Sequence, residues 1–82
     1  MTDREILETL SRILGDLLLD DSLQLAMETQ RSDVPGWDSF AYINFIVAVE
    51  QEFNVKFAVA EVEAFETVGS IVQRIKQING IP

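Results

Sequence analysis

Ser39 is the residue whose setting in this chain suits chemistry. It lies in Gly36-Trp37-Asp38-Ser39-Phe40, where an irregular stretch meets an amphipathic one. A hydroxyl at the start of a helix is exposed and sits at the positive end of the helix dipole, a place that suits a phosphate or phosphodiester. Asp38 beside it could help hold a metal ion during a phosphoryl-type transfer. The same pair also suits a plainer role, in which Asp38 or Ser39 caps the helix by accepting a hydrogen bond from a free first-turn N–H. No histidine or basic residue adjoins Ser39 to activate it, so self-catalysed acyl chemistry is not expected. A serine modified by another enzyme fits better.

Composition narrows the choice further. The chain has 82 residues, room for one small domain, expected to span 1–82. It has no cysteine and no histidine, which removes disulfides, thiolate nucleophiles, the commonest general base and the commonest metal ligands. No metal site is expected, and a binding or carrier role is favoured over an enzyme. The net charge of -8 disfavours nucleic acid and anionic membranes and favours partners with basic surfaces; part of that charge simply keeps a small domain soluble. Asp3, Arg4, Glu5 and Glu8 interrupt any signal-peptide core, and no apolar run approaches a membrane span. The expected location is cytoplasmic and the expected state a monomer.

Four helices are expected to position Ser39. Thr2 and Glu5 form a capping box that opens a first helix over about Asp3 to Leu18, with Ile6, Leu10, Ile13, Leu14 and Leu17 inward and Gly15 a slight weakness. Asp20-Asp21-Ser22 is read as its end. Residues from Leu19 to Trp37 lack a clean period and form a long loop, pinned to the core by Leu23, Leu25, Met27 and Val34. A second helix opens at Asp38-Ser39, buries Ile43, Phe45, Ile46, Val49 and Phe53, and stops at Asn54. Ala58 to Phe65 make one or two turns, with Val62 and Phe65 inward. Thr67 caps a last helix with Val68, Ile71, Val72, Ile75 and Ile78 on its apolar face, Arg74 and Lys76 near its end, and Gly80 after it. Val55-Lys56-Phe57 is the one β-like segment and is too short for a sheet.

The chain resembles the acyl carrier protein family over nearly its whole length. The resemblance rests on Asp38-Ser39-Phe40 at the start of the second helix, the run on to Glu50-Gln51-Glu52-Phe53 without gaps, and the spacing to Phe57, Val62, Glu63, Phe65 and Thr67-Val68. It implies an all-α four-helix bundle of three longer helices and a short third one. It also implies that a phosphopantetheinyl transferase attaches 4'-phosphopantetheine to Ser39, with Asp38 assisting, and that the arm's thiol carries an acyl group to loading and processing enzymes. Family members sequester long acyl chains among positions that match Ile43, Phe45, Ile46, Phe57, Val62 and Phe65.

Departures from the family are informative. Phe40 replaces the usual leucine and is read either as a partner contact or as packing. Ala41 and Asn44 stand where fatty-acid carriers often have acids, whereas Glu50, Glu61 and Glu63 remain as expected partner contacts. This pattern suggests a dedicated pathway, of secondary metabolites or specialised lipids, rather than housekeeping synthesis. Three phenylalanines among the six cavity positions suggest a short or polar cargo. An aminoacyl or peptidyl carrier, and a carrier-like adaptor without the arm, are the alternatives.

Overall fold

The structure is a computed structural model and describes residues 2–80; Met1, Ile81 and Pro82, the ends of the expected domain, lie outside the described residues. It is helical, with no strand among the described residues. Helix α1 spans Asp3–Leu18, a 3-10 turn spans Arg31–Asp33, and α2 spans Ser39–Phe53. The short α3 follows at Val59–Ala64 and α4 at Val68–Ile78.

Local chemistry explains where each element begins and ends. The Thr2 hydroxyl accepts from the Glu5 N–H and the Glu5 carboxylate accepts from the Thr2 N–H, satisfying two orphan donors of α1. The end of α1 is a left-handed Leu19 whose φ is 56°; its N–H donates to the Gly15 carbonyl, while the residue is 92 % exposed with its side chain in solvent. The expected Asp20-Asp21-Ser22 stop forms just beyond it, where the Asp20 carboxylate accepts from the Ser22 N–H and hydroxyl. Asn54, with φ 54°, ends α2 in the same left-handed way, a conformation asparagine tolerates well. Val55 and Phe57 then point inward with Lys56 exposed between them, so the β-like alternation serves as an extended connector.

Packing joins the apolar stripes of α1, α2 and α4. Ile6, Leu10 and Leu14 from α1 meet Phe45 and Val49 from α2 and Ile71, Val72 and Ile75 from α4, all almost wholly buried. Burying one such side chain contributes about 1.5–3 kcal/mol. Leu25 is buried, and Leu23, Met27 and Val34 pack against the core as expected of a pinned loop. Leu17 and Ile78 stand outside the stripes assigned to them, at the last turns of their helices, where the bundle no longer covers them.

Two glycines let the loop come close. The Met27 carbonyl accepts from the Gly69 N–H at 2.7 Å, and the Thr29 carbonyl accepts from the Val68 N–H at 2.9 Å, so loop backbone satisfies the start of α4. A Cβ at Gly69 would lie 2.8 Å from the Met27 oxygen, and one at Gly15 would lie 2.7 Å from the Asp20 oxygen. Gly15 is therefore a close-approach residue of the α1 terminus rather than a mere weak point.

Candidate functional site

The cap question at the second helix has a clear structural answer. Asp38 is the N-cap of α2, and its Oδ1 accepts from the Ala41 N–H at 2.9 Å. Ser39 is the first helical residue, exposed, with its hydroxyl in no hydrogen bond among the described residues. The chain has nine serine and threonine hydroxyls. Seven of them, those of Thr2, Thr9, Ser11, Ser22, Thr29, Thr67 and Ser70, hold hydrogen bonds within the fold. Among the described residues Ser39 and Ser32 are the two that do not, and of these Ser39 stands on the N-terminus of a long helix.

A cleft of about 600 Å³ opens beside Ser39. The loop contributes Thr29 to Ser32, α2 contributes Tyr42 and Ile43, and α3 contributes Val62 and Glu63, with Phe65, Val68 and Ile71 deeper along its walls. Trp37 also lines it and is buried, with its ring edge-on to Phe45 at 5.2 Å between centroids. Its indole N–H is buried with no acceptor among the described residues. Arg31 is the one basic residue on the walls among the described residues, and its guanidinium lies over the Tyr42 ring, 4.6 Å from the centroid.

The six expected cargo positions divide. Ile43, Val62 and Phe65 line the cleft, whereas Phe45, Ile46 and Phe57 are buried in the core and do not. Phe57 packs edge-on against Phe65 at 5.3 Å, coupling the two groups. Ile43, read as buried, is 55 % exposed, and Tyr42 takes the inward place instead. Phe53 is only partly buried. Tyr42 was not among the expected site residues.

An apolar strip runs outward from the serine. Phe40 is 78 % exposed and shares one face of α2 with Ile43 and Val47, at i, i+3 and i+7, with exposed Val59 among the other large apolar side chains. Phe40 is not among the residues packed against the core, which sets aside its reading as a packing residue. The expected acidic contacts differ among themselves. Glu50 accepts from the Phe57 N–H at 2.8 Å and is partly buried. Glu61 accepts from the Ala58 N–H at 2.8 Å and pairs with Arg74. Glu63 is exposed on the cleft wall. Arg74 and Lys76 likewise serve tertiary pairs, Lys76 reaching Asp3 at 2.8 Å, beside their placement near the end of α4.

The Ala58 N–H foremost, with Arg74 adding to it, holds the Glu61 carboxyl below the usual carboxylate range. A carboxyl depressed on folding stabilises the folded chain above its unfolded value, about pH 4.3, and that contribution fades as pH falls through the folded value. Glu61→Gln should therefore melt below the wild type at pH 7, and the gap should close toward pH 3. Thermal melts of both proteins at the two pH values check this; a gap that persists at pH 3 contradicts it.

A helical bundle with an uncommitted hydroxyl at a helix start, beside a half-apolar cleft, has the architecture of a carrier domain. Residues 4–75 match the family model described as "Phosphopantetheine attachment site", and the chain belongs to that family, the acyl carrier proteins. It is 32% identical over 71 residues to an acyl carrier protein of Clostridium acetobutylicum, covering 87% of this chain and 92% of the relative. It is 33% identical over 73 residues to one from Thermotoga maritima, covering 89% and 90%. The solution structure of holo acyl carrier protein from Geobacter metallireducens superposes with a TM-score of 0.82 at 31% identity, over 92% of this chain and 86% of that one. These relatives are carriers rather than catalysts. The prosthetic group of the family is covalently attached 4'-phosphopantetheine. An exposed, unbonded hydroxyl with a cleft beside it fits that group, and no helix of the described residues is long and apolar enough to cross a membrane.

Proposed function

We propose that Ser39 is the attachment point of the phosphopantetheine arm and that the chain presents a short or polar acyl group, as a thioester, to the enzymes of a dedicated pathway. The single observation that carries this is the division of labour at the start of α2: Asp38 caps the helix and leaves the Ser39 hydroxyl free. Attachment joins Ser39 Oγ to the phosphopantetheine phosphorus while the pyrophosphate bond of coenzyme A breaks and adenosine 3',5'-bisphosphate leaves. The serine proton has no histidine in this chain to receive it, so the base belongs to the transferase. The second Asp38 oxygen, not used in the cap, is the one that would assist there. When attached, the arm supplies the thiol that a cysteine-free chain lacks.

Partners meet the strip of Phe40, Ile43 and Val47, of which Ile43 shares the cleft wall with the exposed Glu63. Apolar contact there governs dissociation, and the surrounding acidic potential speeds the approach of basic partners in a salt-screened manner. Glu50 and Glu61 contribute to that potential while their carboxylates stay tied to backbone N–H groups. Short cargo is supported by the burial of Phe45 and Phe57 away from the cleft.

Incubation with coenzyme A and a promiscuous phosphopantetheinyl transferase, followed by intact mass, tests the carrier reading. One added phosphopantetheine is expected; none would favour the armless adaptor. Trp37 is the only tryptophan and lines the cleft, so its fluorescence should change in intensity or wavelength on modification. Identical emission from the two forms would restrict Trp37 to a packing role.

A further inference from the structure

We propose that Tyr42 sets the length of cargo this carrier accepts, because with Trp37 it forms the cleft wall on the side of Phe45 and Ile46. The proposal rests on the reading of Ser39 as the attachment point. The cleft is walled by α2 at Tyr42 and Ile43 and by α3 at Val62 and Glu63. Tyr42 bridges the two helices: its ring stands on α2 and its hydroxyl donates to the Val62 carbonyl on α3 at 2.7 Å. Phe65 N–H already bonds the Glu61 carbonyl, whereas the Val62 carbonyl belongs to the last turn of α3 and has no helical donor ahead of it. The phenol therefore completes the end of α3 as well as fastening it to α2.

Several neighbours hold the bridge in place. Arg31 covers the ring at 4.6 Å, and Trp37 lies tilted beside it at 6.1 Å. Burial pushes the Tyr42 phenol up in pKa, so it remains a donor across the physiological range. Phe45 and Ile46, three and four residues on along the same face of α2, are both buried and both absent from the cleft walls. An acyl group thus stays in the cleft, between Arg31 and Glu63 at its polar rim, unless the bridge is broken.

The test compares holo proteins loaded with acetyl, butyryl and octanoyl groups, wild type and Tyr42→Ala, with loading verified by intact mass. Failure of the arm or acyl group to attach would defeat the carrier reading itself, before Tyr42 is at issue. With loading complete, the three wild-type forms should melt within about 1 °C of each other, whereas octanoyl should raise the Tyr42→Ala melting temperature by about 5 °C or more over acetyl. A steady wild-type rise through octanoyl, or no rise in the variant, overturns the proposal. Should Tyr42→Ala not fold, isotope-edited NMR of octanoyl-loaded wild type decides. The terminal methyl should contact Ile43 or Phe65 at the cleft; contact with Phe45 or Ile46 overturns it.

Discussion

Ser39→Ala should take up no phosphopantetheine under conditions that modify the wild type fully. The expected loss is complete because no other hydroxyl offers the same setting. Seven of the remaining eight serine and threonine hydroxyls already hold hydrogen bonds in the fold, and Ser32 lies in the 3-10 turn away from the start of a long helix. The variant should keep its helicity. Asp38 supplies the cap, the Ser39 hydroxyl makes no bond that would be lost, and alanine is the best helix former. Intact mass and far-ultraviolet circular dichroism read the two halves of the claim. Ser32→Ala should be modified like the wild type. Modification of the Ser39→Ala protein would remove the assignment at once.

Phe45→Ala should lower stability by about 3–5 kcal/mol, the usual cost of emptying a buried phenylalanine site. Phe45 is 0 % exposed, sits at the centre of α2, and meets the Trp37 ring edge-on at 5.2 Å. Such an aromatic pair adds about 0.5–1.5 kcal/mol beyond area burial. A domain of this size has a total stability of only about 5–15 kcal/mol, so the variant stands close to unfolding. Urea denaturation followed by circular dichroism measures the difference. A loss below about 2 kcal/mol would mean that neighbours collapse into the space and that Phe45 is not a keystone of the core.

The starts of α1, α2 and α4 were legible because each is written in local chemistry. Thr2 with Glu5, Asp38 and Thr67 all cap as their residue types suggest. The faces of α1 and α4 were legible because polar residues fill their outer sides. The face of α2 was harder, since apolar residues surround it and two stripes compete: Tyr42, Phe45, Ile46 and Val49 against Phe40, Ile43 and Val47. Periodicity alone does not rank two apolar stripes, so Ile43 was assigned inward together with Phe45, Ile46 and Val49, which are buried. The bridge from Tyr42 to Val62 joins residues 20 apart, and no local signal announces it. Gly15 was weighed by helix propensity, which registers its cost but is blind to the Asp20 carbonyl that rests on it. Glu50 and Glu61 show the same blindness, since charge alone does not tell a docking contact from a backbone anchor.

The loop between α1 and α2 has an uneven tolerance for change. Its carbonyls at Met27 and Thr29 occupy the first donors of α4, and Gly69 leaves the space that the Met27 oxygen needs. Those few residues act as a splint, fixed by their backbone whatever their side chains. Between Asp21 and Gln24 the chain is largely exposed, with only Leu23 partly inward. Extra residues there lengthen an arc that is free to bulge outward, at a closure cost that grows only slowly with length. An extra residue at Glu28 would instead push the two carbonyls out of step with Val68 and Gly69, and the start of α4 would lose both partners. Insertions accumulated by a lineage of such chains should therefore gather early in the loop and avoid its later half.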